Sequence, residues 1–523
     1  MKVPALIPRD GWRLSPHLWL LLAIVAAGGL IRFLTLGIQS LDHDEAVTAA
    51  NVLQPHLGAT LQIVPESERT PHLYYILAWG WSQLFGTGAI GLRSLSALLG
   101  TLTIPVAYLA ARELASPRAG LLAAALVAFN PFLIWFSQEA RAYALFILLA
   151  SAGLLLFARA LRRQSARSYL WWATVSALAL ASHYFAAFLV APEALWLLIA
   201  ARRRLAPALA TAGIGLTTLA LLPVALDQQS DHTEVIKALR LPVATRVVNV
   251  GVSFASGQRL GPRGVAATSS AGAGVGKAAA VVLALALLAA AAILAKRGLA
   301  RERRGALIAV AIAACGLLAP LALALAGANY FDVRNESGLL VPLLVALAIG
   351  LGSRRARRLG PAIAATACAA FAVATAAIIL SPSLQRPDWR SVASIVGDHE
   401  TPRLVIAPIS AAAPLVAYLR DDLHPLLRPI DWSDEYGHLL AGRVLDPAPT
   451  VREIDLVGVA VPAAPRSPFP GFAFAGSRRV GSRQVSRFDA PSLRRVDLVA
   501  LERRGVIGRL DRLLFDPGNE RPS

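Results

Sequence analysis

"HLYYILAWGWSQLFG", residues 72–86, decides how the rest of this chain is threaded. It is apolar enough to invite reading as a membrane span, and so is the run at 90–111 that follows it. If both crossed, "ARELASPR" (111–118) and every later arginine cluster would fall outside. Those clusters, "RALRRQSAR" (159–167), "ARRRL" (201–205), "AKRGLARERR" (295–304) and "SRRARR" (353–358), belong in cytoplasmic loops under the positive-inside rule. One of the two runs therefore stays out. Residues 72–86 are short for a span, rich in Trp and Tyr, and start just after Pro71, which suits a helix lying in the interface.

The whole chain has the composition of a polytopic membrane protein: 523 residues, 56% hydrophobic, 16% charged, with a mean hydropathy of +0.56. With 72–86 kept in the interface, the expected spans are 17–37, 90–111, 119–136, 143–159, 169–182, 183–200, 205–226, 277–295, 305–326, 338–352 and 360–380, about eleven. The pair 169–182 and 183–200 is short, so it reads either as two spans or as a re-entrant hairpin with its tip at "ASHYF" (181–185). Residues 38–89 form a first outer loop carrying interfacial helices, and 227–276 a second, partly ordered on the membrane surface. Lys2, Arg9 and Arg13 precede the first run, which is long for a signal peptide and lacks a clear cleavage site, so the amino end is expected in the cytoplasm. The net charge of +19 resides mostly in the loop clusters and argues for a multi-pass plasma-membrane protein rather than a nucleic-acid partner. Cys315 and Cys368 both lie in apolar runs, which gives no disulfide framework and no thiol metal site.

From 381 to 523 the chain turns polar. "RPDWRSVASIVGDHE" (386–400) reads as a capped helix, "RLVIAP" (403–408) as a strand and "AAPLVAYLRDD" (412–422) as a helix. "EIDLVGVAV" (453–461), "FAFAGS" (472–477) and "SRQVSRF" (482–488) read as strands. The expectation is a membrane domain over 1–380 and a small extracytoplasmic α/β domain over 381–523 whose last ten residues are disordered. No internal repeat is visible, so the inverted-repeat mark of many secondary transporters is missing.

Candidate chemistry gathers on the outer side. "SLDHDEAVTAANV" (40–52) places Asp42, His43, Asp44 and Glu45 together at the start of the first outer loop. A purely structural reading has Asp44 capping the helix "EAVTAANVL", with Glu45 near its positive end. Against that reading stand Arg93, Arg141 and Arg334, arginines on the face where the positive-inside rule expects few, and His72, Tyr143 and His183 beside them. A carboxylate opposite arginines suits attack of a hydroxyl on the anomeric carbon of a sugar carried by a polyprenyl phosphate. The leaving group is already an ionised phosphate, so it needs cations and no general acid, and one carboxylate base suffices. A transporter or flippase of lipid-linked sugars is the alternative, although its polar groups would lie deep in several spans and here the interiors are almost purely Ala, Leu, Val and Ile.

The order "DHDEA" (42–46), "RTPHLYYILAWGWSQLFGTGAIGLRSLSALLG" (69–100), "FNPFLIWFSQEARAYAL" (129–145), "SHYF" (182–185), "NYFDVRNESGLLVP" (329–342) and "RPDWRSVASIV" (386–396) resembles the GT-C superfamily of membrane glycosyltransferases. More narrowly it is similar to the branch of protein O-mannosyltransferases and lipid A aminoarabinose transferases, over about residues 15–400. The resemblance implies an inverting transfer from a polyprenyl-phosphate sugar to a lipid, glycan or protein hydroxyl. It implies that Asp44 is the catalytic base with Glu45 beside it, and that Arg93, Gln138, Glu139, Arg141, Tyr143, His183 and Arg334 serve the donor. Asp42, Pro71 and His72 are expected to position the loop or the acceptor; the family's "PPL" reads Pro71-His72-Leu73 here, and Asn335 stands where a tyrosine usually follows the late arginine. Asp42, His43, Asp44 and Glu45 have ligand chemistry for a divalent ion, but the branch is metal-independent, so no metal and no cofactor are expected.

Overall fold

The computed structural model describes residues 15–202, 204–230, 241–257, 270–327, 330–397, 401–419, 424–426, 449–459, 467–481, 483–506 and 511–516. Every expected span contains a helix. Seven helices are long and apolar enough to cross a membrane, and the apolar stretches 117–129, 184–200 and 335–351 are shorter. The chain is a multi-pass membrane protein carrying a small C-terminal mixed sheet.

α1 (Pro16–Leu34) leads into a one-turn helix α2 (His43–Val47), then α3 (Leu57–Ser67) and α4 (Leu73–Phe85). α5 (Ala89–Leu114) is the first long helix after them. α4 has 13 residues, about 20 Å of helix and too short for a bilayer. Its first turn buries Tyr74 and Tyr75, with Tyr75 against Thr70, and Trp81 near its other end donates to Ser94 Oγ and the Gly91 carbonyl at the start of α5. Both ends of α4 thus stay at one end of the bundle, as the reading of 72–86 requires.

The arginine clusters gather at the other end. Arg159 and Arg162 pair with Glu113, Arg301 donates to the Glu113 carbonyl, Arg118 to the Arg357 carbonyl and Arg204 to that of Gln164.

The expected span 119–136 is two helices, α6 (Pro117–Phe129) and α7 (Pro131–Phe136), because Asn130-Pro131 interrupts the ladder and Asn130 Oδ1 caps the Leu133 N–H. The last carbonyls of α6 are taken up by Arg32 of α1, fully buried, whose Nη1 and Nη2 donate to Ala128 and Val127 while Nε donates to Ser137 Oγ. α8 (Tyr143–Arg163) then runs from the site end to the basic end.

α9 (Ala166–Ser182) and α10 (Ala187–Ala200) reverse direction between them, as both readings of this pair require. Trp172 Nε1 donates to Glu193 at 2.8 Å, which two positions 21 residues apart can do only if the chain reverses between them. The reversal is at His183, which stacks on Phe146 near the start of α8.

In the second outer loop a helix spans Val243–Ser256; residues 231–240 and 258–269 lie outside the described residues. The helices expected at 277–295, 305–326, 338–352 and 360–380 run Ser270–Arg297, Ala300–Leu325, Leu340–Leu351 and Leu359–Leu380.

The C-terminal sheet has β1 (Arg403–Pro408), β2 (His424–Leu426), β3 (Thr450–Val459), β4 (Ala473–Val480), β5 (Arg483–Arg495) and β6 (Asp511–Asp516) in the order β2-β6-β1-β3-β5-β4. Only β1 and β3 pair in parallel; the other described pairs are antiparallel. Helices Trp389–Val396 and Ile409–Tyr418 share a core with it through Trp389, Val405 and Leu415. The tail expected to be disordered from 514 on begins instead as β6, whose Leu513 and Leu514 are buried; residues 517–523 lie outside the described residues.

Candidate active site

The acidic loop is held by its first carboxylate. Asp42, not Asp44, is the N-cap of α2: Asp42 and Glu45 form a reciprocal capping box, with the Asp42 N–H donating to Glu45 Oε2 at 3.1 Å. The expectation that Asp44 caps this helix is corrected accordingly, because the helix starts two residues earlier than the apolar pattern suggests. Asp44 is left on the first turn, with its carboxylate turned to a partner outside the helix.

Glu45 is fully buried and its two oxygens are saturated. Arg93 grips it bidentately at 2.7 and 2.6 Å, Arg386 donates to Oε2 at 3.1 Å, and the Ala140 N–H to Oε1 at 3.0 Å. Burial alone would raise this carboxyl; Arg93 and Arg386 more than offset it and bring its pKa down to about 2. Arg93 is equally committed. Its remaining N–H groups donate to the carbonyls of Leu36, Gln39 and Ser40, so all five donors of the guanidinium are spent within the protein and none is left for a phosphate. The N–H groups expected to meet the donor at Arg93 instead fasten Glu45 to the carbonyls of the loop before it.

Asp44 is different. Its side chain is 32% exposed and pairs with Arg334, itself 33% exposed and 290 residues away in sequence. Asp332 Oδ1 accepts from the Arg334 backbone N–H at 3.0 Å and lies 3.5 Å from its Nε, steering the side chain. Arg141 approaches from the turn between α7 and α8: its Nη1 donates to Glu68 at 2.5 Å and reaches Thr48 Oγ1 and the Asp44 carbonyl at 3.3 and 3.4 Å. Burial works against the Arg141 charge, but Glu68, Tyr75 and Asp44 more than offset it and raise its pKa well above the ordinary value. Tyr143 and Glu139 are close enough to Arg334 to contribute to its electrostatics.

The other expected residues divide. Glu139 accepts from Arg386 at 2.9 Å. Gln138 turns its amide nitrogen toward the end of α1, onto Thr35 and the Arg32 carbonyl, so it ties helices together. His183 is buried in an aromatic stack with Phe146 and Tyr143, and its Nδ1 accepts from the Phe185 N–H. Pro71 is buried just ahead of α4, and His72 is the partly buried N-cap of that helix without a side-chain capping bond.

Two participants were not singled out from the sequence. Glu68, in the stretch "SERT", offered no signal beyond its charge. Arg386 opens "RPDWRSVASIV", one of the ordered motifs, and its place after the last span hid that it reaches back into the first loop. Among the described residues no three His, Cys, Asp or Glu side chains are grouped to hold a metal ion. Asp42 is spent on its cap, Glu45 on two arginines and Asp44 on Arg334.

Residues 68–226 match the family model described as "Dolichyl-phosphate-mannose-protein mannosyltransferase". No curated protein sequence matches the chain. Among solved structures the chain is similar to ArnT from Cupriavidus metallidurans bound to undecaprenyl phosphate, at 14% identity and a TM-score of 0.53, covering 90% of this chain and 98% of that one. The same protein in its apo state matches at 15% identity and 0.43, over 90% and 98%. The archaeal oligosaccharyltransferase AglB from Archaeoglobus fulgidus, in complex with an inhibitory peptide and a dolichol-phosphate, matches at 14% and 0.44, over 72% of this chain and 57% of that one. The likeness to ArnT is one of fold, over nearly the whole of both chains, and the family-model match covers less than a third of this chain.

Proposed function

We propose that this chain is a membrane glycosyltransferase that moves a sugar from a polyprenyl-phosphate donor to an acceptor hydroxyl on the outer face, with Asp44 as the base. The observation that carries this reading is the contrast between neighbours. Glu45 is sealed and saturated, whereas Asp44 is accessible and meets a cation that is accessible too. A phosphate arriving at Arg334 and Arg141 competes with Asp44 for Arg334. Losing that partner makes the Asp44 carboxylate a stronger base at the moment the donor is in place.

In the reaction the acceptor O–H passes its proton to Asp44 as its oxygen bonds to the anomeric carbon. The bond from that carbon to the phosphate oxygen breaks, and polyprenyl phosphate leaves with the electron pair, its added charge met by Arg334 and Arg141. A single displacement inverts the anomeric centre. The match to a mannosyltransferase family model and the fold shared with ArnT, which binds undecaprenyl phosphate, support a lipid-linked donor.

The test is transfer of labelled sugar from a panel of polyprenyl-phosphate sugars by purified protein in lipid, with EDTA present. Transfer by the wild type and a loss of about 10²–10⁴-fold in Asp44→Asn are expected. If neither protein consumes any donor while labelled lipid crosses the bilayer equally in both, a flippase is the better account.

A further inference from the structure

The short helix bearing Asp44 cannot hold itself in place: α2 runs on into a π-helical turn, Thr48–Val52, and the two together are still shorter than an isolated helix can sustain. Much of its anchorage comes from residues after the last span. Ser40 Oγ donates to the Pro387 carbonyl at 2.7 Å and accepts from the Trp389 N–H at 3.0 Å. The Leu41 N–H donates to the Tyr418 hydroxyl at 2.8 Å. Ala413 is buried in the same apolar cluster as Leu41, Ala46 and Val47, so the helix Ile409–Tyr418 of the C-terminal domain packs directly on α2.

Arg386 is the centre of this arrangement. Almost wholly buried, it bridges Glu45, Glu139 and the Gln138 carbonyl at 2.9–3.1 Å, with its guanidinium 4.6 Å from the Trp135 ring centre. Its backbone N–H donates to Gln39 Oε1 at 3.0 Å. One planar cation thus joins the loop that presents Asp44 to the turn that presents Arg141, and belongs to neither.

Resting on the transferase reading above, we infer that Arg386 is a positioning residue: through Glu45 and Glu139 it sets the separation of Asp44 from the phosphate-facing arginines, and the C-terminal domain locks that setting through Tyr418. The domain therefore acts on the rate of the chemical step as well as shaping the surface above it. Lysine carries the charge without the planar fork and cannot span two carboxylates and a carbonyl at once.

The experiment compares full-length wild type, Arg386→Ala, Arg386→Lys and Tyr418→Phe. It reads kcat and KM for the donor, and hydrogen exchange over residues 40–50. Arg386→Ala is expected to lower kcat about 10²-fold, the scale of a 1 Å misplacement, with KM for the donor changed less than about threefold. Arg386→Lys recovers part of the loss. Tyr418→Phe, remote from the proposed phosphate ligands, lowers kcat about 3–10-fold and speeds exchange over 40–50.

A proportional rise in KM in Arg386→Ala would mean that Arg386 touches the donor and would overturn the inference. So would wild-type kcat in folded Arg386→Lys and Tyr418→Phe. Should Arg386→Ala fail to fold, those two variants decide. Exchange is read without substrate, so wild-type exchange rates in both variants also overturn the inference, while a wild type that transfers no sugar overturns the transferase reading alone.

Discussion

At the scale of single residues, two adjacent carboxylates of like chemistry have been given opposite environments. Glu45, held at about 2, contributes stability that is present above the unfolded carboxylate value of 4.5 and is lost as pH falls from there toward 2. The shift is worth about 3 kcal/mol. Thermal unfolding in detergent should therefore show a fall in Tm between pH 4.5 and 2.5 that is smaller in Glu45→Gln, which starts less stable at pH 7; equal pH slopes would show that the carboxylate is not held low. The acidic quartet was legible as a candidate site, and Asp44 was legible as its member to be proposed as the base. The division of labour was not, because capping by Asp42 and gripping by Arg93 depend on backbone placement that residue type does not encode. Arg93 illustrates the same point: an arginine at the outer start of a span looks like a phosphate ligand until its five N–H groups are followed to their acceptors.

At the scale of elements, the sequence spoke clearly where length and charge decide. Residues 72–86 were recognised as non-crossing because crossing would have inverted the distribution of arginines, and α4 does keep both ends near the site. With Cys315 and Cys368 replaced by alanine, single cysteines at Glu66 and Phe85 should both react with a membrane-impermeant maleimide from one face, and a cysteine at Arg163 from the other. Labelling of Glu66 and Phe85 positions from opposite faces would mean that α4 crosses. The hairpin α9–α10 was read as an alternative between two spans and a re-entrant turn; the Trp172–Glu193 bond establishes the reversal. The break at Asn130-Pro131 went unread because the apolar run continues through it, although Asn followed by Pro is a recognised helix boundary.

At the scale of the whole molecule, the ends of the bundle do different work. One gathers Arg159 and Arg162 against Glu113, while Glu302 accepts from the Ser353 hydroxyl and the Arg354 backbone N–H. The other brings together residues near 44, 141, 334 and 386 from four separated stretches. Binding of polyprenyl phosphate should accordingly slow hydrogen exchange jointly over 43–48, 138–143 and 332–336, and leave 111–118 and 295–304 unchanged. Protection confined to one of the first three segments, or spread to the last two, would count against a shared phosphate site. The architecture was readable from composition and charge placement. Contact between the C-terminal domain and the first loop was not, because nothing in a pattern of apolar residues records which distant surfaces meet.

The separation of Arg386 from Glu45 has a bearing on how the protein is made. The two lie 341 residues apart, roughly 20–70 s of synthesis at ordinary elongation rates. Arg93 reaches Glu45 after 48 residues and the Ala140 amide after 95, so the acidic loop acquires early partners while the ribosome is still far from the end. The last clamp arrives only when the final span has been inserted and the segment behind it has emerged. On the proposed reading, a nascent chain carries its base long before it can aim it, and a chain stalled short of residue 386 is expected to insert in the membrane without becoming active.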